Sequence, residues 1–136
     1  VTHDMGVIAE TADRVAVMHA GVVVEEAPAR ALFGGPLHPY SDALLMAVPR
    51  ISEEKAGVGR VRVPGAPPSP ISDPPGCLFA ERCAHVLPVC RGQRPPLAPQ
   101  PGGRAVACHR VEAGEALWRL DSRDVPVLSE AGPVSP

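Results

Sequence analysis

The chain has 136 residues, a formal charge of −2 and four aromatic rings of Phe, Tyr or Trp (Phe33, Tyr40, Phe79 and Trp118). So small a charge gives no whole-chain case for nucleic acid or an anionic membrane surface, and no apolar run approaches a membrane span. Eighteen residues are proline, eleven of them between Pro64 and Pro101, which argues against one evenly packed globule.

The opening "VTHDMGVIAE" carries no initiator Met and enters patterned sequence at once, the expectation for a piece of a longer protein. "VTH" reads as the end of a strand, and Asp4 as the cap of a short helix with Val7, Ile8, Thr11 and Ala12 on one face. "RVAVM" is an apolar run of strand length, of the kind covered on both faces. "HAG" turns the chain, with Gly21 free to take positive φ, and "VVVEE" returns as the second arm of a hairpin. Pro28 starts a short helix, "PARALF", which Gly34-Gly35-Pro36 stops. A second helix, "PYSDALLMAV", begins at Pro39, ends at Pro49 and aligns Tyr40, Ala43, Leu44 and Ala47. Residues 51–63 have the composition of a linker. From Val61 onward "VRVPGAPPSPISDPPG" permits neither helix nor ladder for long and is expected to run extended with turns. A short helix around Trp118 and a frayed tail complete the reading, with 111–136 as tail. The fold class is therefore α/β over residues 1–50, followed by an irregular Cys/Pro-rich piece over 64–110.

All four cysteines lie in "GCLFAERCAHVLPVCRG" and "RAVACHR", spaced Cys77-x5-Cys83-x6-Cys90-x17-Cys108. Disulfides are rare without a secretion route, and no signal-like segment opens the chain. Zinc knuckles favour spacings of two to four, so gaps of five and six are wide for that geometry. A four-iron cluster takes one thiolate per iron and suits ligands on a wrapping loop. Residues 77–110 also hold five arginines (Arg82, Arg91, Arg94, Arg104, Arg110) against one acid, Glu81, and guanidinium groups would offset a cluster's negative charge. Cluster, zinc and plain reduced thiols all stay open on spacing alone. Cysteine catalysis through Cys83 and His85 lacks a held geometry, and Phe79 alone is no platform for nucleic acid. A lone histidine at a strand end, such as His3, is ordinarily structural. His19, His38 and His85 read as surface or turn residues, with His109 set apart only by adjoining Cys108.

"VTHDMGVIAETADRVAVMHAGVVVEEAP", then "GPLHPYSDALLMAVPR", resembles the C-terminal end of an ABC transporter ATPase subunit of the oligopeptide/dipeptide importer branch. "PGAPPSPISDPPGCLFAERCAHVLPVC" with "AVACH" resembles that branch's C-terminal extension. The resemblance covers about residues 1–110. It implies a C-terminal fragment of a nucleotide-binding domain, with His3 as the switch histidine that hydrogen-bonds the γ-phosphate and helps hold the attacking water. It implies ATP and Mg in the parent protein, and a 4Fe–4S cluster on Cys77, Cys83, Cys90 and Cys108. It also implies a second ATPase subunit, two membrane permeases, an extracytoplasmic peptide-binding protein acting indirectly, and a peripheral place on the cytoplasmic face of the membrane. Three positions depart from the pattern: Ala27 where Gly is usual, Ala80-Glu81 for a proline-containing step, and Arg104 where His is common. No phosphate loop, signature motif or catalytic carboxylate is present, so the chain alone is expected to be inactive. The rival reading is a free-standing iron–sulfur or zinc-binding interaction module without ATPase function.

Overall fold

The structure is a computed structural model, and it describes residues 5–47, 65 and 73–114. The expected linker, the helix around Trp118 and the tail beyond residue 114 lie outside the described residues, as do His3 and Asp4.

Helix α1 (Met5–Thr11) is short, and its Thr11 hydroxyl donates back to the Val7 carbonyl at 2.6 Å, a bond that closes its last turn. The apolar face read from the sequence is only partly covered: Ile8 and Ala12 are half-buried while Val7 is exposed. Strands β1 (Arg14–His19) and β2 (Val22–Pro28) form the expected antiparallel hairpin, pairing Arg14 with Pro28 and His19 with Val22. Its two-residue turn places both Ala20 (φ 49°) and Gly21 (φ 82°) in the left-handed region, which a type I′ turn demands and only glycine meets without strain.

The expectation that β1 is covered on both faces is not met. Val17 and His19 are buried, but Ala16 and Met18 alternate outward. An unbroken apolar run does not by itself say which strand is central. The more covered strand is β2, where Val24, Glu25 and Ala27 are all buried; a register shift opposite Val17 and Met18 interrupts the alternation at Val24, and Glu25 pairs directly across from Val17. Helices α2 (Ala29–Gly34) and α3 (Pro39–Met46) follow close to the expected bounds. Pro28 caps α2 rather than opening it, and His38 caps α3 by accepting the Tyr40 N–H on its ring nitrogen at 3.0 Å. Val17, Val24, Ala27 and Leu32 form the core, with Val15, Tyr40 and Leu44 packed on it. Burying the Leu32 side chain alone contributes about 2 kcal/mol.

The described part of the 64–110 piece is more regular than its proline content implied. Strands β3 (Ala98–Gln100) and β4 (Arg104–Val106) make a second hairpin, and β4 pairs with β2 through Glu25–Val106 and Glu26–Ala105. The sheet order is β1-β2-β4-β3, so the two pieces expected to flank a linker share one sheet. Proline did not prevent this because Pro99 lies on the edge strand, where no further ladder needs its N–H. At the far end of that hairpin, Arg14 bridges Glu26 at 2.8 Å and the Gly103 carbonyl at 2.9 Å. Short helices α4 (Pro88–Gly92) and α5 (His109–Glu112) complete the described residues, with a single 3-10 turn at Ala80–Arg82.

Candidate functional site

The cysteine loop is built from backbone contacts rather than from a core. Cys77 N–H donates to the Cys90 carbonyl at 2.7 Å, joining the loop's start to α4. Gly76 makes that approach possible, since a Cβ there would run into the Cys90 carbonyl oxygen and lie 2.6 Å from the Arg91 backbone. Ala80 N–H returns to the Cys77 carbonyl at 3.0 Å, and Cys83 N–H to the Ala80 carbonyl at 3.3 Å. Cys90 is buried inside α4, and Cys108 is the residue that precedes α5. Arg94 fastens the entry by donating to the Pro74 carbonyl at 2.7 Å and to Asp73. Arg110 fastens the middle by donating to the His85 carbonyl at 2.6 Å, and a His109 ring nitrogen lies 2.9 Å from the Gln93 carbonyl.

None of the four cysteines forms a disulfide, and the loop brings them together. Cys83 lies within electrostatic reach of Cys108, Cys77 and Cys90, and Cys77 within reach of Cys90 and Cys108. Burial pushes the Cys77, Cys83 and Cys108 thiols up, Cys83 to about 11, so unligated they stay protonated at neutral pH. Five backbone groups oppose this with hydrogen bonds that favour thiolate: those of Phe79 and Ala80 at Cys77, His85 at Cys83, and Val111 and Arg110 at Cys108. The ligand set is nevertheless not closed. Among the described residues no group of three or more His, Cys, Asp or Glu is positioned to hold a metal ion.

The expected role of the arginines needs correction. Of the thiols displaced by their surroundings only Cys108 feels an arginine, Arg110. Arg91 pairs with Glu81, Arg94 holds residues 73–76, Arg82 lies 5.9 Å from the Phe79 ring centre, and Arg104 points away into the sheet. They hold the loop's own backbone and neighbours more than they neutralise its sulfurs.

Beneath the loop runs a buried polar seam that the sequence did not single out. The Glu25 carboxylate, fully buried, accepts from Leu37 N–H and His38 N–H at 2.8 Å each and from Arg104 at 2.9 Å. The same Arg104 nitrogen donates to the Gly35 carbonyl at 2.6 Å. His38, read as a turn residue, is buried; its Nδ1 accepts from Tyr40 N–H while the ring hydrogen-bonds the backbone at Ala107. His19, also read as a surface residue, is buried beside it and hydrogen-bonds the backbone at Leu78. Phe79 closes the seam with its ring centre 5.5 Å from His19 and 5.4 Å from Tyr40, both edge-on. Burial lowers the pKa of both histidines, His38 to about 4. The adjacent pair "EE" held one usable signal: strand alternation puts only one of two neighbours on the outer face.

Residues 24–90 match the family described as the oligopeptide/dipeptide transporter C-terminal region, a stretch that runs from the hairpin through three of the four cysteines. The chain belongs to that family. It is 46% identical over its whole length to the probable peptide ABC transporter ATP-binding protein y4tS of Sinorhizobium fredii, covering 38% of that protein. It is 43% identical to the oligopeptide transport ATP-binding protein AppD of Bacillus subtilis, over 82% of the chain and 34% of the relative. With OppD of Salmonella typhimurium, an oligopeptide transport ATP-binding protein, it shares 44% identity over 81% of the chain and 32% of the relative. The chain thus spans about a third of the length of the curated relatives it matches. Among the described residues no helix is long and apolar enough to cross a membrane.

Proposed function

We propose that the protein to which this chain corresponds is the ATP-binding subunit of an ABC importer for oligopeptides or dipeptides, with residues 1–50 closing its nucleotide-binding domain and residues 64–110 forming its extension. The observation that carries the reading is the family match over residues 24–90, which takes in both pieces. In this reading ATP and Mg bind the whole subunit, which pairs with a second ATPase subunit on two permeases at the cytoplasmic face and receives peptide from an extracytoplasmic binding protein. His3 donates to the γ-phosphate and holds the attacking water, a directed hydrogen bond aimed at charge that develops in the transition state. In the full-length subunit, His3→Ala is expected to lower ATP turnover about a hundredfold while nucleotide affinity stays within a few-fold. Equal losses in rate and affinity would assign His3 to ground-state binding or folding instead, and steady-state hydrolysis beside equilibrium nucleotide titration separates the two.

Cys77, Cys83, Cys90 and Cys108 would hold a 4Fe–4S cluster, favoured by four neighbouring thiols and the hydrogen bonds directed at three of them. When bound, such a cluster supplies a covalent cross-link among loop segments that have few apolar side chains of their own. The chain's part is to present thiolates, with the hydrogen bonds offsetting the burial that keeps them protonated. Anaerobically purified protein is expected to carry about four irons and four sulfides per chain, with iron lost on Cys83→Ser. Colourless protein with one zinc, or with four alkylatable thiols and no metal, would replace this reading.

A further inference from the structure

Among the described residues, the extension meets the seam around α3 through residues that lie beside cysteines or on the strand that leads to one. Phe79, against Tyr40 and His19, sits between Cys77 and Cys83. Leu78, whose backbone holds His19, directly follows Cys77. His85, which interacts electrostatically with Asp42 of α3, is two residues past Cys83. Ala107, whose backbone meets the His38 ring and whose N–H donates to the Val24 carbonyl at 2.9 Å, directly precedes Cys108. Arg104, on the strand leading to Ala107, reaches Glu25 and Gly35 and so fixes the loop from which α3 starts. On its other side α3 rests on the hairpin through Tyr40 and Leu44, and Glu25 holds the backbone at Leu37 and His38, but within the helix only Pro39 and Ser41 are buried and its N-terminal cap is His38 itself.

From this placement we propose that the cysteine loop and helix α3 form one cooperative unit, so that whatever changes the state of the thiols changes the order of α3, while the β1–β2 hairpin stays folded. The hairpin has an independent ladder, and its Val17, Val24 and Ala27 form an apolar cluster with Leu32 of α2. Helix α3 leans on that cluster from one side and, from the other, on Phe79 and His85, which the cysteine loop positions. Such a unit would report ligation, alkylation or oxidation of the thiols to the helix that follows the hairpin, about thirty residues or more away along the chain. Coupling of this kind is reciprocal: loosening α3 must expose the thiols by the same factor that modifying the thiols loosens α3. The inference does not depend on the importer reading or on which group the thiols hold.

Amide hydrogen exchange of the full chain, before and after complete alkylation with N-ethylmaleimide at mildly alkaline pH, tests it. The expected result is at least a tenfold loss of protection at Asp42–Ala47 with protection at β1 and β2 kept. Unchanged protection in α3 would overturn the proposal, and so would equal loss in the hairpin, which would make the whole chain a single unit. Tyr40→Ala approaches from the other side and is expected to raise the labelling rate of the thiols about tenfold, with unchanged labelling counting against reciprocity. Should that variant fail to fold, the exchange result on the unmodified sequence stands by itself.

Discussion

Replacing Arg104 with methionine is expected to cost about 3–5 kcal/mol of stability, because it leaves the fully buried Glu25 carboxylate without its cation. Two backbone N–H donors, from Leu37 and His38, remain on that carboxylate, but neither carries a formal charge. The Gly35 carbonyl loses its donor at the same time. Arg104→Lys is expected to lose less, since one ammonium can donate to both oxygens that a single guanidinium nitrogen serves in the structure. Lysine also removes the Arg104 Nε, which is buried without a partner. Adding Glu25→Gln to Arg104→Met should recover at least about 1 kcal/mol, because a neutral amide no longer needs a cation, although its single oxygen keeps an acceptor for only one of the two backbone donors. Urea unfolding of the four proteins gives the comparison. An Arg104→Met loss below about 0.5 kcal/mol, the range of ordinary surface substitutions, would mean the ion pair does not hold the seam.

Glu25 also shows where sequence reading stops. The hairpin was legible from a strand-length apolar run, a glycine turn and a second apolar arm, and α2 and α3 from their prolines and glycines. The neighbouring glutamates look alike in sequence, yet Glu26 meets the exposed Arg14 while Glu25 lies in the interior. What separates them is supplied from residues 12, 13 and 79 positions away, the last on a strand of three residues. A strand so short has no periodicity to detect, and "GGRAV" reads as loop until β2 offers it a ladder. The gathering of the cysteines was visible in their spacing. Their attachment was not: Phe79 reads as a lone aromatic in a proline-rich loop, and only its meeting with His19 and Tyr40 makes it an anchor.

Acidification is expected to remove about 3 kcal/mol of stability between pH 6.5 and pH 4, with His38 the main contributor. Its pKa falls from the ordinary 6.5 to about 4, chiefly because burial disfavours the charged ring and secondly through His19, against a raising hydrogen bond to the backbone at Ala107. The folded chain therefore keeps a neutral ring over a range in which the unfolded chain takes up a proton. The unfolded state binds more protons there, so stability is whole above the unfolded value and declines as pH falls toward the folded one, by about 1.4 kcal/mol per pH unit. His19 and His85, both lowered first by burial, act in the same direction. Asp42 acts against it: burial raises its carboxyl, so protonating it at acid pH relieves a cost that the folded state bears at neutrality. His38→Asn isolates the main contribution, since an asparagine oxygen can still accept the Tyr40 N–H as a helix cap but does not titrate. Urea midpoints measured from pH 7 to pH 4.5 are expected to slope steeply in the unmodified chain and much less in His38→Asn. Parallel slopes in the two proteins would move the acid lability to His19 and His85, and would mean the seam tolerates a charged ring where the structure shows His38 enclosed by the backbone of Ala107, the Tyr40 N–H and Phe79.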